Sequence, residues 1–143
     1  MKLADKGRFA PPPALEPAAQ RVSETVAAWP GVHARAHWRI DNDRAVDGAD
    51  FYVGQREVGH IHLDAEAHIM LPTAVADALV DAGLARRLQW RRNAVVFAIA
   101  RRADATHAVW LFQLSYDRCR GATTGELLER VAAQRRSFVT RTR

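Results

Sequence analysis

Between Phe51 and Leu71 the chain has room for hairpins and little else. Two β-type runs, Phe51-Tyr52-Val53 and Glu57 to Leu63, are separated by Gly54-Gln55, a tight turn in which glycine accepts positive φ. After Asp64-Ala65-Glu66, a third run returns from Ala67 to Leu71. Connections this short join antiparallel neighbours, because a parallel pair needs a crossover of a dozen residues or more.

Helical patterns flank this meander. Leu15, Ala18, Ala19, Val22, Val26 and Trp29 recur at helical spacing until Pro30-Gly31 stops them. A strand is expected over Val32 to Ile40, followed by a loop over 41–49, where Asp41-Asn42-Asp43 and Asp47-Gly48 are turn chemistry. Thr73 is expected to cap a short helix that Gly83 ends. Strands at Arg87 to Trp90 and Ala94 to Ala100 follow, joined by Arg91-Arg92-Asn93. Asp104 is then expected to cap an apolar helix through Leu114, and Thr123-Thr124-Gly125-Glu126 reads as a capping box for a last one.

This order predicts an α+β fold: an antiparallel curved sheet of about five to six strands with helices packed on one face, including N-terminal and C-terminal helices. Residues 1–14, ending in Pro11-Pro12-Pro13, are expected to form a flexible arm, 15–138 a single domain, and 139–143 a basic tail.

The 143 residues carry a formal charge of +5, in arginine pairs interleaved with carboxylates. Such interleaving gives no basic stripe, so nucleic acid is not the expected partner. No apolar stretch reaches the length of a signal-peptide core or a membrane span, which gives cytoplasmic as the expectation and no membrane partner. Cys119 is the single cysteine and has nothing in the chain to bridge to. Phosphate-loop, dinucleotide, serine-hydrolase and paired-cysteine zinc motifs are all missing.

The chemical signal is histidine. Four of the six fall at 33, 37, 60 and 62, and His68 lies on the strand expected to pair with that of His60 and His62. Side chains two apart on a strand share a face about 6 to 7 Å from each other, close enough for two imidazoles to hold one ion or one substrate. A neutral imidazole is also a base near working pH, and Glu57 or Asp64 could orient it. Glu57 has the opposite parity on a regular strand and is expected to face away, with Arg39 or Arg56 as its partner. The bland reading makes these histidines hydrogen-bonding members of a half-buried sheet.

Trp29-Pro30-Gly31-Val32, Glu57-Val58-Gly59-His60-Ile61-His62, His68 to Pro72, Ala82-Gly83-Leu84-Ala85 and Trp110 to Tyr116 together resemble the luciferase-like domain family, small bacterial proteins related to fungal luciferase. The resemblance spans about residues 29 to 117. Arg86 and Arg87 stand where that family leads one to expect a histidine, and Ala94 where a tryptophan is expected. The resemblance implies a small aromatic or enolic organic ligand, and oxygenase-type chemistry that needs only a base and a dry pocket. On that reading His60 and His62 are the candidate bases, Asp64, His68 and Tyr116 line the pocket, and no cofactor is predicted.

Two rivals stand beside it. One is a noncatalytic module that binds protein or nucleic acid through its basic surface. The other is a metal-dependent enzyme using His60 and His62 with Glu66, since Gly54, His60-Ile61-His62 and Glu66 match most of the first cupin motif. The closing glycine of that motif falls at Thr73, and the helix after it breaks a jelly roll. Nothing in the sequence points to an oligomeric state.

Overall fold

The computed structural model describes residues 2–6, 10–38 and 45–142. They form helix α1 (Pro17–Ala27), strands β1 (Val32–Trp38), β2 (Val46–Val53), β3 (Arg56–His62) and β4 (Glu66–Met70), and helix α2 (Thr73–Asp81). Strands β5 (Arg86–Arg87) and β6 (Ala94–Ala98) follow, then helices α3 (Asp104–Cys119) and α4 (Thr124–Thr142). The strands make one six-stranded antiparallel sheet in the order β1-β2-β3-β4-β6-β5. The α+β expectation therefore holds, with helices at both ends of the chain.

The pleat sorts the sheet into two faces. Ala49 and Phe51 of β2, Ile61 of β3, Ala67 and Ile69 of β4 and Val95 of β6 join Val22, Val26, Leu79, Leu111, Phe112 and Leu127 in one core. Helix α1 packs on β1 and β2, α3 on β3 and β4, and α2 on β5 and β6. Phe51 meets Phe112 edge-on, with ring centroids 5.7 Å apart; burying each ring stabilises the fold by about 2–3 kcal/mol, and the pairing adds up to about 1. A Cβ at Gly59 would lie 2.8 Å from Phe112 Cε1 and 2.6 Å from the His68 carbonyl oxygen, so α3 approaches β3 as closely as glycine permits.

Local chemistry explains the element ends. Pro17 occupies the first turn of α1, where its missing N–H costs nothing. Gly54 (φ 58°) turns the β2–β3 hairpin and Gly83 (φ 72°) ends α2, both as expected. Thr123 and Glu126 form the reciprocal capping box ahead of α4: Thr123 N donates to Glu126 Oε2 (2.9 Å) and Glu126 N to Thr123 Oγ1 (3.1 Å). At α2 the expected cap is wrong by one residue: Pro72 holds the N-cap position and Thr73 is already helical.

Other expectations shift further. Strand β2 begins at Val46, so Asp47-Gly48 lies within a strand rather than a turn; the rest of that proposed loop, 41–44, and the end of the first predicted strand lie outside the described residues. Strand β5 is only Arg86–Arg87, and residues 88–93 form the connection to β6. Described parts of the N-terminal arm contact the sheet: Leu3–Lys6 form a 3-10 turn, Ala4 N donates to Gln55 Oε1 (2.8 Å), and Ala36 N donates to the Ala10 carbonyl (2.8 Å). Helix α4 continues through Thr142, where a tail was expected from 139. No helix among the described residues is long and apolar enough to cross a membrane.

Candidate functional site

The face of the sheet away from the helices carries the chemistry. A small apolar cluster of Met70, Leu88, Ala94 and Val96 occupies its β4–β6 end. Over β1 to β4 the same face presents histidines and carboxylates, which only their mutual pairing makes tolerable so near the protein interior.

The antiparallel register brings them together. His60 stands between Asp50 on β2 and His68 on β4, and His62 pairs with Gly48, which in turn pairs with His37 on β1. The ring centroids of His60 and His62 are 4.9 Å apart, those of His60 and His68 4.9 Å, and those of His62 and His68 4.6 Å. The three histidines read from the sequence thus converge. His37, which sequence reasoning noted but did not place, stacks on His60 at 4.1 Å with planes only 6° apart, and meets His62 edge-on at 5.2 Å.

Gly48 makes this meeting possible. A Cβ there would lie 2.0 Å from the Ile61 carbonyl oxygen and 2.9 Å from His62 Cα, so only glycine allows β2 and β3 to pair at this point. With no side chain between them, the rings of His37 and His62 lean together across β2.

Each imidazole has a carboxylate behind it. His37 Nδ1 lies 2.5 Å from Asp50 Oδ1, His60 Nδ1 3.1 Å from Glu57 Oε1, and His68 Nε2 2.9 Å from Glu66 Oε1. Asp47 reaches two rings at longer range, with its oxygens 3.5 Å from His37 Nε2 and 3.5 Å from His62 Nδ1. An ionised carboxylate only accepts, so in a neutral ring the bonded nitrogen carries the proton and the other keeps its lone pair. For neutral His60 the lone pair is therefore on Nε2, whereas both ring nitrogens of His37 face a carboxylate.

Glu57 corrects the parity argument. Phe51 pairs with Gly59 and Tyr52 with Glu57, so Val58 opposes no residue of β2 and forms a β-bulge. The extra residue moves Glu57 to the same face as His60, which is its partner in place of the expected Arg56; Arg39 lies outside the described residues. Helix α3 secures the bulge: Ser115 Oγ donates to the Val58 carbonyl (2.7 Å) and Arg118 Nη2 to the Glu57 carbonyl (3.2 Å).

Burial sets the protonation states. His60 is 8 % exposed, and desolvation lowers its pKa even though the Glu57 hydrogen bond and charge pull the other way. His62 is pushed down to about 4, by burial first and then by His60, His68 and His37 around it. Both are neutral at pH 7. Burial works against the Glu57 carboxylate, but the hydrogen bond from His60, with the charges of His60, Arg91 and His37, outweighs it and holds the pKa below the ordinary value. Tyr52, the cross-strand neighbour of Glu57, has its pKa raised by burial and then by the Glu57 and Asp50 charges, so its hydroxyl stays protonated. That hydroxyl is buried and has no hydrogen-bond partner among the described residues.

The remaining sequence candidates fall elsewhere. Tyr116 lies in the helix layer, where its hydroxyl donates to the Pro30 carbonyl (2.6 Å) and its ring packs on Trp29. Asp64 sits in the β3–β4 turn and accepts from Glu66 N (3.0 Å). Glu66 reaches His68 but joins no ligand set with His60 and His62. The groups whose donor atoms lie within 4.8 Å of one another are His37, His60 and His62, and His37, Asp50, Glu57 and His60. At the rim, Trp90 is 76 % exposed, with its ring 6.1 Å from that of His68.

Comparison with known proteins bears on part of this site. Residues 55–115 match the family model of the Luciferase domain. No curated protein and no solved structure gives a significant match to the chain. The matched span includes Glu57, His60, His62, Glu66 and His68, while His37, Asp47 and Asp50 precede it. From the β2–β3 turn to the last turns of α3 the chain is similar to the Luciferase domain, the family that its Glu57–His62 strand resembles.

Proposed function

We propose that this protein is a metal-dependent enzyme acting on a small aromatic or enolic organic molecule, with a divalent ion held by His37, His60 and His62. The observation that carries the reading is the set of three imidazoles with donor atoms within 4.8 Å of one another, each with a carboxylate at its rear. Three histidines leave an open coordination position, as in catalytic rather than structural sites, and imidazole ligands suit zinc, iron, nickel or copper. Carboxylates behind ligating histidines fix the tautomer and strengthen the donor. His62 is already neutral well below pH 7, so no proton has to be displaced before it can ligate. A bound ion would polarise an enol or phenol oxygen of the ligand and stabilise its conjugate base. His68, paired with Glu66 and buried beside the three, is available to move a proton.

Elemental analysis of protein purified without an affinity tag, alongside the His37→Ala variant and the His60→Ala/His62→Ala double variant, tests this. About one transition-metal ion per chain, lost in both variants, is expected. Wild-type protein that neither retains nor takes up zinc, iron or nickel would sink the metal reading. A second reading would then lead, because the Glu57–His60 bond also prepares His60 Nε2 as a general base for cofactor-independent, oxygenase-type chemistry.

A further inference from the structure

A second feature adjoins the histidines through Glu57. Where β3 begins and β4 ends there is a cavity of about 420 Å³, lined among others by Lys2, Arg56, Glu57, Arg91 and Arg118. Four of those side chains are cationic, and the one carboxylate already accepts from His60. Arg56 and Lys2 are at the exposed rim, while Arg91 and Arg118 are half-buried. The volume is that of a small-molecule site, and its charge is the opposite of what an acidic ligand carries.

The donors here are under-used. Arg118 gives Nη2 to the Glu57 carbonyl and, at 3.5 Å, to Cys119 Sγ, yet its Nε is buried with no partner among the described residues. Arg91 donates Nε to Asn93 Oδ1 (2.8 Å), which leaves its paired terminal nitrogens, the fork that fits an oxyanion, uncommitted to that bond. The Tyr52 hydroxyl, across the strand from Glu57, is another buried donor without a partner among the described residues. Buried donors without acceptors are uncommon, and Arg118, which carries one of them, lines this cationic cavity together with Arg91.

We infer that this cavity recognises the acidic group of the ligand, a carboxylate or phosphate on a small organic molecule, and holds the rest of that molecule towards His60. Arg91 and Arg118 grip the oxyanion, and Glu57 marks the boundary between the anion subsite and the imidazoles. This rests on the reading of the histidine face as a ligand site but not on the presence of a metal. It narrows the substrate class from any enolic or aromatic molecule to one that bears a fixed negative charge.

The test is titration of isotope-labelled protein with benzoate, malonate and inorganic phosphate, followed by NMR at low salt, with the metal removed by chelator and again with zinc added. Saturable shifts centred on Glu57, Arg91 and Arg118 are expected, and Arg91→Gln should weaken binding by about tenfold or more. Arg92→Gln, an exposed neighbour outside the cavity lining, should bind like wild type. Binding of the carboxylates assigns a carboxylic acid, whereas binding of phosphate alone assigns a phosphorylated ligand. Arg118→Met provides a second variant should Arg91→Gln fold poorly. No saturable binding of any probe, or equal loss in Arg91→Gln and Arg92→Gln, overturns the inference. Anion binding that persists in protein unable to take up metal would remove the metal centre and leave the anion subsite standing.

Discussion

Replacing Ser115 by alanine should disturb the candidate site from the far side of the sheet. Ser115 is fully buried, and its Oγ donates to the carbonyl of Val58, the bulged residue that turns Glu57 towards His60. Removing the hydroxyl leaves almost no cavity but strands a buried carbonyl, at a cost of about 1–3 kcal/mol. For a chain of this length about 2 kcal/mol lowers Tm by about 6 °C. The second consequence is chemical. If the bulge relaxes into regular pairing, Glu57 turns away and His60 loses the hydrogen bond and charge that do most to raise its pKa, leaving burial opposed only by the Asp50 charge. The His60 pKa should then fall further. Denaturant unfolding with imidazole-resolved NMR titration, in chelator to keep the protein metal-free, reads both effects. Wild-type stability in Ser115→Ala would refute the energetic argument, and lowered stability with an unchanged His60 resonance and titration would refute the link from helix to bulge to site.

Gly48→Ala should cost about 3 kcal/mol or more by urea denaturation, because the new Cβ would fall 2.0 Å from the Ile61 carbonyl oxygen; Gly54→Ala, in open space at φ 58°, should cost only about 1. In chelator, stability should be level above pH 6.5 and decline from there to about pH 4, since an unfolded His62 takes up its proton at the ordinary value while the folded one holds out to about 4. The full difference is about 3 kcal/mol, reduced to about 2 because the His62 side chain keeps 24 % of its surface in solvent; an equally steep acid limb in His62→Gln would contradict this. Tyr116→Phe should lose about 1–2 kcal/mol in thermal unfolding by removing the hydroxyl that donates to the Pro30 carbonyl and accepts from Arg120, and should leave ligand binding at the histidine face unchanged, against the pocket role its sequence suggested.

Periodicity and turn chemistry were enough to determine the α+β class, the Gly54-Gln55 hairpin, the shared face of His60 and His62, and the capping box at Thr123. Each depends on residues within a few positions of one another, where one spacing has one geometric meaning. The β3–β4 pairing belongs with them, but its register does not: where the turn at 64–66 begins decides which face His68 takes, and only the structure puts it opposite His60. The members of the site that were missed are non-local or break a local rule. His37 joins through β1–β2 pairing across a segment read as a loop, where Asp47-Gly48 has the composition of a turn but the glycine serves a backbone contact with Ile61. Asp50 is a site carboxylate only because that longer β2 exists. Glu57 faces His60 because one bulged residue reverses the alternation, and a donor 57 positions away in the chain holds that bulge. Tyr116 shows the converse, since an aromatic residue on a buried helix reads alike whether it faces the core or a pocket. Which face of the sheet the helices cover was decided by packing, and that placed Tyr116 in the core and the histidines on the opposite side.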